Sequence, residues 1–239
     1  MKDLRASDPK FIKKVKPYFS LLEKYFRYEV KGLDRIPKRK AIVVMNHGVI
    51  PYHGFLLAKK LMDRGLFPRG LGAEFLFRIP GLREFFLKGG AVNASPDNAR
   101  QLLQEGQLVL LAPGGIYESL IAKRGLRRIP WERRMGFVRL AVETGTPIVP
   151  TYCRGINSVY FNSYFLLKPR IKLLEKTRFS LPFFFGLGLL PLPRKLVHVV
   201  GKPILMKRKR GESLKGQIAR VHDEVIDAMT RLAIGEEAA

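Results

Sequence analysis

The sequence has 239 residues, 46% of them hydrophobic, and its 44 lysines and arginines against 20 acidic residues give a net charge of +24. The length and apolar content predict one domain, the single cysteine excludes an internal disulfide, and no run reaches the roughly 18 to 20 apolar residues of a membrane-spanning helix. The charge predicts an anionic partner, although composition does not choose among nucleic acid, lipid headgroups and phosphorylated substrates.

The opening segment, MKDLRASDPK, lacks the uninterrupted apolar stretch of a signal peptide. We therefore expect a cytoplasmic protein that associates peripherally with a membrane and has no transmembrane helix. A reducing compartment fits Cys153, which lies in an apolar run and is predicted to be a buried, inert thiol.

Residues 9–28 are the first predicted element. Apolar side chains recur there at helical spacing, with lysines between them, at Phe11, Ile12, Val15, Phe19, Leu22 and Phe26. This pattern predicts a basic amphipathic helix, interrupted or kinked at Pro17, that either docks on the protein's own core or contacts a membrane. The chain is accordingly divided into a helical segment at 1–30 and an α/β domain at 31–239.

The next segment, AIVVM at 41–45, is short, apolar and β-branched, which predicts a buried strand. It ends at Asn46 and His47, and a helix is predicted at 54–65. A polar dipeptide between a strand and a helix occupies the position where open α/β sheets bind ligands.

Further strands and helices alternate through the middle of the chain. Residues 95–106 predict a helix with Ser95 as its N-cap, and residues 136–145 predict one that ends at Gly145. Strands are predicted at 107–112 and 147–153, and the segment PGGIYES between them is expected to be a loop around Glu118. The alternation predicts an α/β fold, with a central mostly parallel or mixed sheet flanked by helices.

The most apolar segment is FSLPFFFGLGLLPLP at 179–193. Its prolines and glycines argue against a regular helix, so it is either a buried irregular segment or a loop that enters a membrane or lines an acyl chain. A late strand is predicted at 196–204, a solvated basic loop at 207–210 and a closing helix at 212–234.

Two of these segments could carry acyl-transfer chemistry. Moving an acyl group from a thioester to a hydroxyl needs a base, and histidine suits that task near neutral pH. The oxyanion that develops on the thioester carbonyl needs positioned donors, often in a glycine-containing turn. His47 and the pair Gly114-Gly115 could supply these two parts.

The motifs that surround both parts occur in a distinctive order: NHG, LFRIPGL, LLAPGGIYESL, TPIVP and VGKPI. Over roughly 28–234, this array resembles the lysophospholipid, or glycerolipid, acyltransferase superfamily, and it is most similar to the diacylglycerol acyltransferase type 2 branch. The resemblance implies a glycerolipid acyltransferase-like fold and a role in lipid metabolism and phospholipid biosynthesis.

The resemblance also implies roles for individual residues. His47 matches the catalytic base, and Glu118 matches the acidic residue that holds the acceptor or shapes the site. Phe77 and Arg78 fall in a block that contributes to the acceptor pocket. The residues expected to bind substrate are Asn46, Phe77, Arg78, Pro113, Gly114, Gly115, Lys123 and Arg124.

The sequence departs from that family at the first motif, where an aspartate usually orients the histidine. Depending on the alignment, the position holds Tyr52 or His53. Three hypotheses follow. Tyr52 or His53 hydrogen-bonds His47, or Glu118 or another carboxylate replaces the aspartate, or the site is catalytically silent and the fold only binds lipid.

The remaining candidates favour structural roles. His198 and His222 are predicted to be satisfied structural histidines, and Trp131 either forms an interfacial patch or docks on the domain. No zinc spacing, P-loop or G-x-G-x-x-G motif occurs, so we expect no metal and no cofactor.

The leading functional hypothesis is therefore an O-acyltransferase at an anionic membrane surface. It would use acyl-CoA or an acyl-carrier protein as donor and a glycerolipid or lysophospholipid-like hydroxyl as acceptor. The alternative is a pseudo-enzyme that binds lipid or acyl-carrier protein, and we expect no nucleic-acid partner because no groove-reading motif accompanies the charge.

Overall fold

The computed structural model describes residues 4–236 and contains one seven-stranded sheet with helices on both faces. The strands are β1 Glu29–Lys31, β2 Ala41–Met45, β3 Arg69–Gly72, β4 Val92–Asn93, β5 Leu108–Leu111, β6 Ile148–Arg154, β7 Phe161–Ser163, β8 Phe183–Phe185 and β9 Val197–Val200. The helices are α1 Pro9–Tyr25, α2 Tyr52–Met62, α3 Pro80–Lys88, α4 Pro96–Gln104, α5 Gly115–Ile121, α6 Gly136–Thr144, α7 Leu167–Thr177 and α8 Leu214–Ile234. Residues 1–3 and 237–239, the outer ends of the two predicted segments, lie outside the described range.

The sheet has the order β1-β9-β6-β2-β5-β3-β4 and is mixed, as predicted. Strand β2 pairs in parallel with both β5 and β6, β3 pairs in parallel with β5 and β4, and β9 runs antiparallel to β6. The carboxyl ends of β2 to β6 therefore meet at one edge of the sheet, which we call the carboxyl edge.

The core lies on both faces of β2, every residue of which is buried. Ile42 and Val44 pack with residues of α4, α6 and α8, whereas Val43 and Met45 pack with Leu57 and other residues of α2. This alternation follows from the two-residue period of a strand. Burial of each such side chain stabilises the fold by about 1.5–3 kcal/mol, so β2, at the centre of the sheet, contributes strongly to the stability of the core.

The predicted central elements are confirmed, with small shifts at their ends. Ser95 caps α4 by accepting the Asn98 N–H at 3.1 Å, and Gly145 closes α6 with a left-handed φ of 60°. Helix α2 begins at Tyr52, two residues before its predicted start, so Tyr52 and His53 belong to its first turn.

Helix α1 continues through Pro17 rather than stopping there. It lies against α2 and α3, with Phe19 stacked on Phe55 at 5.8 Å and Glu23 paired with Lys59 at 3.0 Å. These contacts support the docked interpretation of the helix. No residue of α1 is fully buried, however, so its outer face remains available.

Residues 179–193 are mostly exposed or half-buried, with only Ser180 and Pro191 buried, which corrects one of the two interpretations of this segment. They contain β8, which pairs antiparallel with β7 in a separate two-stranded sheet, and α7 connects the two strands. We call residues 161–190 the β7–α7–β8 unit. Most of its large apolar side chains are exposed.

Several short elements were missed from the sequence, including β3, α3, β4 and α7. The segment RGLG of β3 contains two glycines and no β-branched residue, and β4 has only two residues, so neither carries a strand pattern. Across residues 4–236, no helix combines the length and apolar character needed to cross a membrane.

Candidate active site

His47 lies two residues after the end of β2, at the carboxyl edge, and is half-buried. Its Nδ1 lies 2.8 Å from the carbonyl oxygen of Gly48. Because a carbonyl only accepts hydrogen bonds, Nδ1 carries the proton and Nε2 keeps a free lone pair. Burial lowers the pKa of His47, an effect that the Gly48 carbonyl partly opposes. The imidazole is therefore neutral at physiological pH and can accept a proton through Nε2.

The backbone of Gly48 makes this arrangement possible. Its φ of 71° is a left-handed conformation that glycine adopts without strain. A Cβ at this position would also lie 2.7 Å from Cγ1 of Ile156. Both constraints favour glycine immediately after the histidine.

The residue before His47 is held by the sheet. The Asn46 amide is 1% exposed and bridges β2 to β6, with Oδ1 accepting the Cys153 N–H at 2.8 Å and Nδ2 donating to the Cys153 carbonyl at 3.2 Å. Both ends of the predicted substrate-binding side chain therefore serve the fold. Cys153 is buried, as predicted, and burial raises the pKa of its thiol.

Neither predicted partner from α2 hydrogen-bonds the imidazole of His47. His53 is fully buried, and its Nε2 donates instead to the backbone carbonyl of Asn46 at 2.7 Å. Burial lowers the pKa of His53 to about 3, so this side chain is neutral. The Tyr52 hydroxyl bonds the Tyr160 hydroxyl at 2.9 Å. His53 thus fixes the backbone that leads into His47 rather than the imidazole itself.

Glu118 lies on the first turn of α5, not in the predicted loop. Its carboxylate folds back over Gly114, and a Cβ on Gly114 would collide with it. Glu118 Oε2 accepts the Trp131 Nε1–H at 3.0 Å. Burial raises the pKa of Glu118 to about 7, against the lowering effects of Trp131 and of the His47 backbone N–H.

Glu118 therefore connects the PGGIYE motif to the NHG motif through the backbone of His47 and not through its imidazole ring. Its carboxyl interacts with the backbone N–H of His47, and within the described part of the chain no hydrogen bond connects it to the ring. The Gly115 N–H donates to the Ala112 carbonyl at 3.1 Å and closes the turn between β5 and α5. This turn lies at the carboxyl edge beside His47, because β5 and β2 are parallel neighbours.

Trp131 is completely buried, so its interpretation as an interfacial residue is wrong. Besides holding Glu118, it accepts a hydrogen bond from His222 Nε2 at its backbone carbonyl, at 3.0 Å. His198 lies between Tyr28 and Thr151, at 2.9 Å and 3.0 Å. Both histidines make buried hydrogen bonds, as predicted for structural residues.

The other predicted substrate-binding residues lie farther from His47 along the chain. Phe77 packs on Phe86, and Arg78 is exposed and paired with Glu74 at 2.6 Å. Lys123 and Arg124 follow the carboxyl end of α5, and both are exposed. A cavity of about 370 Å³ adjoins the turn after β5 and is lined by Leu71, Ala94, Leu111, Ala112, Pro113, Arg133, Arg134, Met135, Gly136 and Phe137.

Among residues 4–236, no group of three His, Cys, Asp or Glu side chains is arranged to hold a metal ion. The features that sequence reasoning missed are the Gly48 carbonyl and the hydrogen bond from Trp131 to Glu118. The glycine after the histidine was a visible signal for the first. Nothing in the local sequence around Trp131 indicated the second.

Comparison with known proteins identifies relatives over most of the chain. The family model described as diacylglycerol acyltransferase matches residues 25–235. A diacylglycerol O-acyltransferase 2 of Dictyostelium discoideum is 32% identical over 211 residues, covering 77% of this chain and 64% of that protein. The human DGAT1/2-independent enzyme synthesizing storage lipids is 30% identical over 179 residues, covering 74% of this chain and 53% of that protein.

An uncharacterized protein of Mycobacterium tuberculosis is 36% identical over 196 residues, covering 75% of this chain and 52% of that protein. The chain spans about half the length of most of these curated relatives. Among solved structures, the 1-acyl-sn-glycerophosphate acyltransferase of Thermotoga maritima superposes with a TM-score of 0.57 at 17% identity, covering 92% of this chain and 79% of that one. This likeness establishes a shared fold.

Proposed function

Because the chain belongs to the diacylglycerol acyltransferase family, we propose that it is an O-acyltransferase of the glycerolipid type. In this proposal it moves a fatty acyl chain from a thioester donor, acyl-CoA or acyl-carrier protein, to the hydroxyl of a glycerolipid or lysophospholipid-like acceptor. The relatives are named for acyl transfer to diacylglycerol or for storage-lipid synthesis, which supports a lipid acceptor.

The observation that carries the proposal is the protonation state of His47. The hydrogen bond from Nδ1 to the Gly48 carbonyl leaves Nε2 as the acceptor, and the lowered pKa keeps it unprotonated. A neutral imidazole at the carboxyl edge is suited to general-base catalysis. The carbonyl orients the ring as the absent aspartate would, but without adding a charge.

The proposed reaction needs no covalent enzyme intermediate. Nε2 of His47 takes the proton of the acceptor hydroxyl while the hydroxyl oxygen attacks the thioester carbonyl carbon. Collapse of the tetrahedral species forms the ester and breaks the C–S bond, and the thiolate leaving group recovers the proton from His47. The products are an acylated acceptor and a free thiol.

The turn between β5 and α5 would shape the region where the oxyanion develops. Gly114 brings the backbone close because it has no Cβ, and Glu118 holds that turn against the His47 backbone. The Gly115 amide is already used within the turn, so in this proposal the donors to the oxyanion are other backbone N–H groups of the turn.

Basic side chains near the carboxyl edge suit the phosphate groups of the donor or the acceptor. Arg133 and Arg134 line the cavity beside the turn, and Lys123 and Arg124 lie beyond α5. With a net charge of +24, these residues also favour peripheral association with an anionic membrane on its cytoplasmic side.

Thioester consumption by the purified protein tests the proposal. With acyl-CoA or acyl-carrier protein as donor and a lysophospholipid or diacylglycerol as acceptor, His47→Ala should reduce transfer by about 10²–10⁴-fold. Arg128→Ala, which changes an exposed residue paired with Glu132, is the matched control and should keep full activity.

Three outcomes can be separated. Turnover that depends on His47 supports the proposal, and full turnover by His47→Ala contradicts the assignment of the base. If no donor and acceptor pair reacts while lipid still binds, the chain is the pseudo-enzyme of the alternative hypothesis. Circular dichroism of each variant excludes loss of the fold as the cause.

A further inference from the structure

Exposed apolar side chains are concentrated in one part of the molecule. Among residues 4–236, 20 large hydrophobic side chains are exposed, and 12 of them lie in the β7–α7–β8 unit. They are Phe161, Tyr164, Phe165, Leu166, Leu173, Phe179, Leu181, Phe183, Phe185, Leu187, Leu189 and Leu190. Single exposed apolar residues are common, but a concentration of this size marks a surface that contacts something apolar.

The exposed side chains are presented by regular structure. Along β8, Phe183 and Phe185 point outward, and Phe184 between them packs on Tyr160 with a ring separation of 4.7 Å. The outward side also carries Phe161, stacked on Phe185 at 5.4 Å. The two-stranded sheet therefore has an inner face on the domain and an outer apolar face.

The unit is firmly held, which means that its exposure is not the result of a loose segment. The guanidinium of Arg170 is buried and donates to the carbonyls of Ser163 and Leu181, at 2.6 Å and 3.2 Å, which ties α7 to β7 and to the segment that leads into β8. The amide of Asn162 donates to three carbonyls at the end of α5, among them Leu120 at 2.9 Å.

The same contacts place the unit beside the candidate active site. Asn162 caps α5, the helix that carries Glu118. Tyr160 connects to the first turn of α2 through Tyr52, and Phe179 packs on Phe75 at 5.2 Å. The unit is therefore connected to α5 and α2, the two helices that follow the motifs of the candidate active site.

The charge of the surrounding surface selects the kind of partner. Between residues 161 and 195 there are six exposed basic residues, at 168, 172, 176, 178, 194 and 195, against one acidic residue, Glu175. If a second copy packed symmetrically on this surface, it would bring like charges together. An anionic lipid surface supplies both the opposite charge and an apolar interior.

We propose that the β7–α7–β8 unit is the membrane-docking surface of this protein. Its outward apolar side chains enter the acyl region of an anionic leaflet, while its lysines and arginines contact the headgroups. The proposal identifies the surface of the protein that faces the bilayer. It rests on the proposed function in one respect only, namely that the docked lipids supply the acceptor. The docking itself is tested independently of activity.

Vesicle sedimentation tests the docking. The double variant Phe185→Asp/Leu189→Asp should bind phosphatidylcholine vesicles that contain phosphatidylglycerol about tenfold or more less tightly than the wild type. Leu205→Asp/Leu214→Asp is the matched control, because Leu205 is 54% and Leu214 51% exposed, close to the 57% of Phe185. Leu205 follows Ile204, which pairs with Ile148 at the start of β6, so it lies at the opposite edge of the sheet.

The control separates insertion from electrostatics. Each aspartate lowers the net charge, so Leu205→Asp/Leu214→Asp gives the same charge change away from the unit. It should bind vesicles within about twofold of the wild type. Equal losses in both double variants, or wild-type binding by Phe185→Asp/Leu189→Asp, would overturn the proposal. So would a dimer, seen by analytical ultracentrifugation, that only the unit variant dissociates while vesicle binding is unchanged.

A fluorescence measurement tests the orientation directly. Trp131 is the only tryptophan and is fully buried, so it gives a constant background. In Phe185→Trp, anionic vesicles should shift the emission to the blue, and brominated lipids should quench it. Leu205→Trp should show neither effect, and the same response at both positions would contradict docking through the unit.

An activity comparison keeps this inference separate from the proposed reaction. On an acceptor dissolved as monomers, Phe185→Asp/Leu189→Asp should transfer acyl groups as the wild type does, whereas on vesicle-borne acceptor it should lose most of its rate. A wild type without transfer activity would contradict the proposed function, and the vesicle comparison would still decide the docking.

Discussion

The carboxyl edge and the β7–α7–β8 unit both differ from the usual arrangement of polar side chains outside and apolar side chains inside, and they differ from it in opposite ways. At the carboxyl edge, polar side chains are buried, and Asn46, His53 and Glu118 all make hydrogen bonds there. In the neighbouring unit, large apolar side chains such as Leu189 are exposed. Each departure costs stability or solubility unless something compensates it.

The compensation differs between the two regions. Apart from Nδ1 of His53, the buried polar groups named at the carboxyl edge are hydrogen-bonded within the protein, so the consequences of changing them should appear as unfolding or loss of catalysis. The apolar side chains of the unit are covered only in part by the protein, so changing the most exposed of them should leave the fold intact and alter only what binds the unit. The comparison therefore predicts two separable classes of variants.

The largest effect on stability is expected from Gly114→Ala. The added Cβ would occupy the position of the Glu118 carboxylate and would displace it from Trp131. Loss of this buried interaction, together with the steric strain, should lower the free energy of unfolding in urea by about 3–4 kcal/mol. Acyl transfer should fall at least about tenfold, because the turn next to His47 moves.

Gly136→Ala is the control for that substitution. Gly136 also begins a helix, its φ is not left-handed, and no atom lies within 4 Å of the position of its Cβ. Its free energy of unfolding should change by less than about 0.5 kcal/mol. Equal stability of the two variants would show that Glu118 can leave Gly114 without cost.

The second effect is a dependence of stability on pH that originates at Glu118. Its pKa is raised from 4.5 to about 7 in the folded protein, so the folded state keeps a proton that the unfolded state has already released. The contribution of Glu118 to the stability of the fold is fully present below pH 4.5 and is lost as the pH rises toward 7. The loss is on the order of 3 kcal/mol, because each pKa unit corresponds to about 1.4 kcal/mol.

Urea unfolding of the wild type and of Glu118→Gln between pH 4.5 and 7 measures this contribution. Only the wild type has a carboxyl group at position 118, so only its free energy of unfolding should fall as this group ionises. The difference in free energy of unfolding between the two proteins should therefore change with pH by the loss given for Glu118. A constant difference would mean that Glu118 is ionised in the fold throughout this range.

The sequence was most informative where one local pattern decided the structure. Uniform burial of β2 and the caps Ser95 and Gly145 followed from composition and from backbone preferences. The conformation of 179–193 could not be obtained in this way, because an apolar run predicts burial whether its partner is the core or a membrane. The position of the segment depends on Asn162, which bonds to carbonyls of the distant helix α5, and on Arg170, which bonds to Ser163 and Leu181 within the unit.

The candidate site likewise has one feature that the sequence predicts and one that it does not. Its location at the ends of β2 and β5 was predictable, because parallel strands end at one edge of a sheet. The orientation of His47 was not, since the predicted partners Tyr52 and His53 were chosen by sequence position. In the structure, the Gly48 carbonyl takes that role, and although the glycine is visible in the sequence, the direction of its carbonyl is not.

The third prediction addresses that carbonyl. Gly48→Ala places an alanine at a left-handed φ of 71° and brings its Cβ to 2.7 Å from Ile156. It should lower the free energy of unfolding by about 2 kcal/mol and kcat by about tenfold, with the KM of the acceptor unchanged. The expected loss of kcat follows from movement of the partner of Nδ1.

Gly125→Ala isolates the backbone strain from the loss of orientation. Gly125 has a similar φ of 79°, and no atom lies within 4 Å of its Cβ position. It should lose only about 1 kcal/mol and keep its kcat. If both variants lose the same stability and neither loses activity, the Gly48 carbonyl does not hold the base in place.

The smallest effect is expected in the β7–α7–β8 unit. Leu189 is 81% exposed, so Leu189→Ser should change the free energy of unfolding by less than about 0.5 kcal/mol. Leu56→Ala, at a fully buried leucine of α2, should cost about 2–5 kcal/mol and serves as the reference. A cost above about 1 kcal/mol at Leu189 would mean that the side chain packs within the protein. If stability is unchanged while vesicle binding weakens, the apolar character of this residue contributes to docking and not to folding.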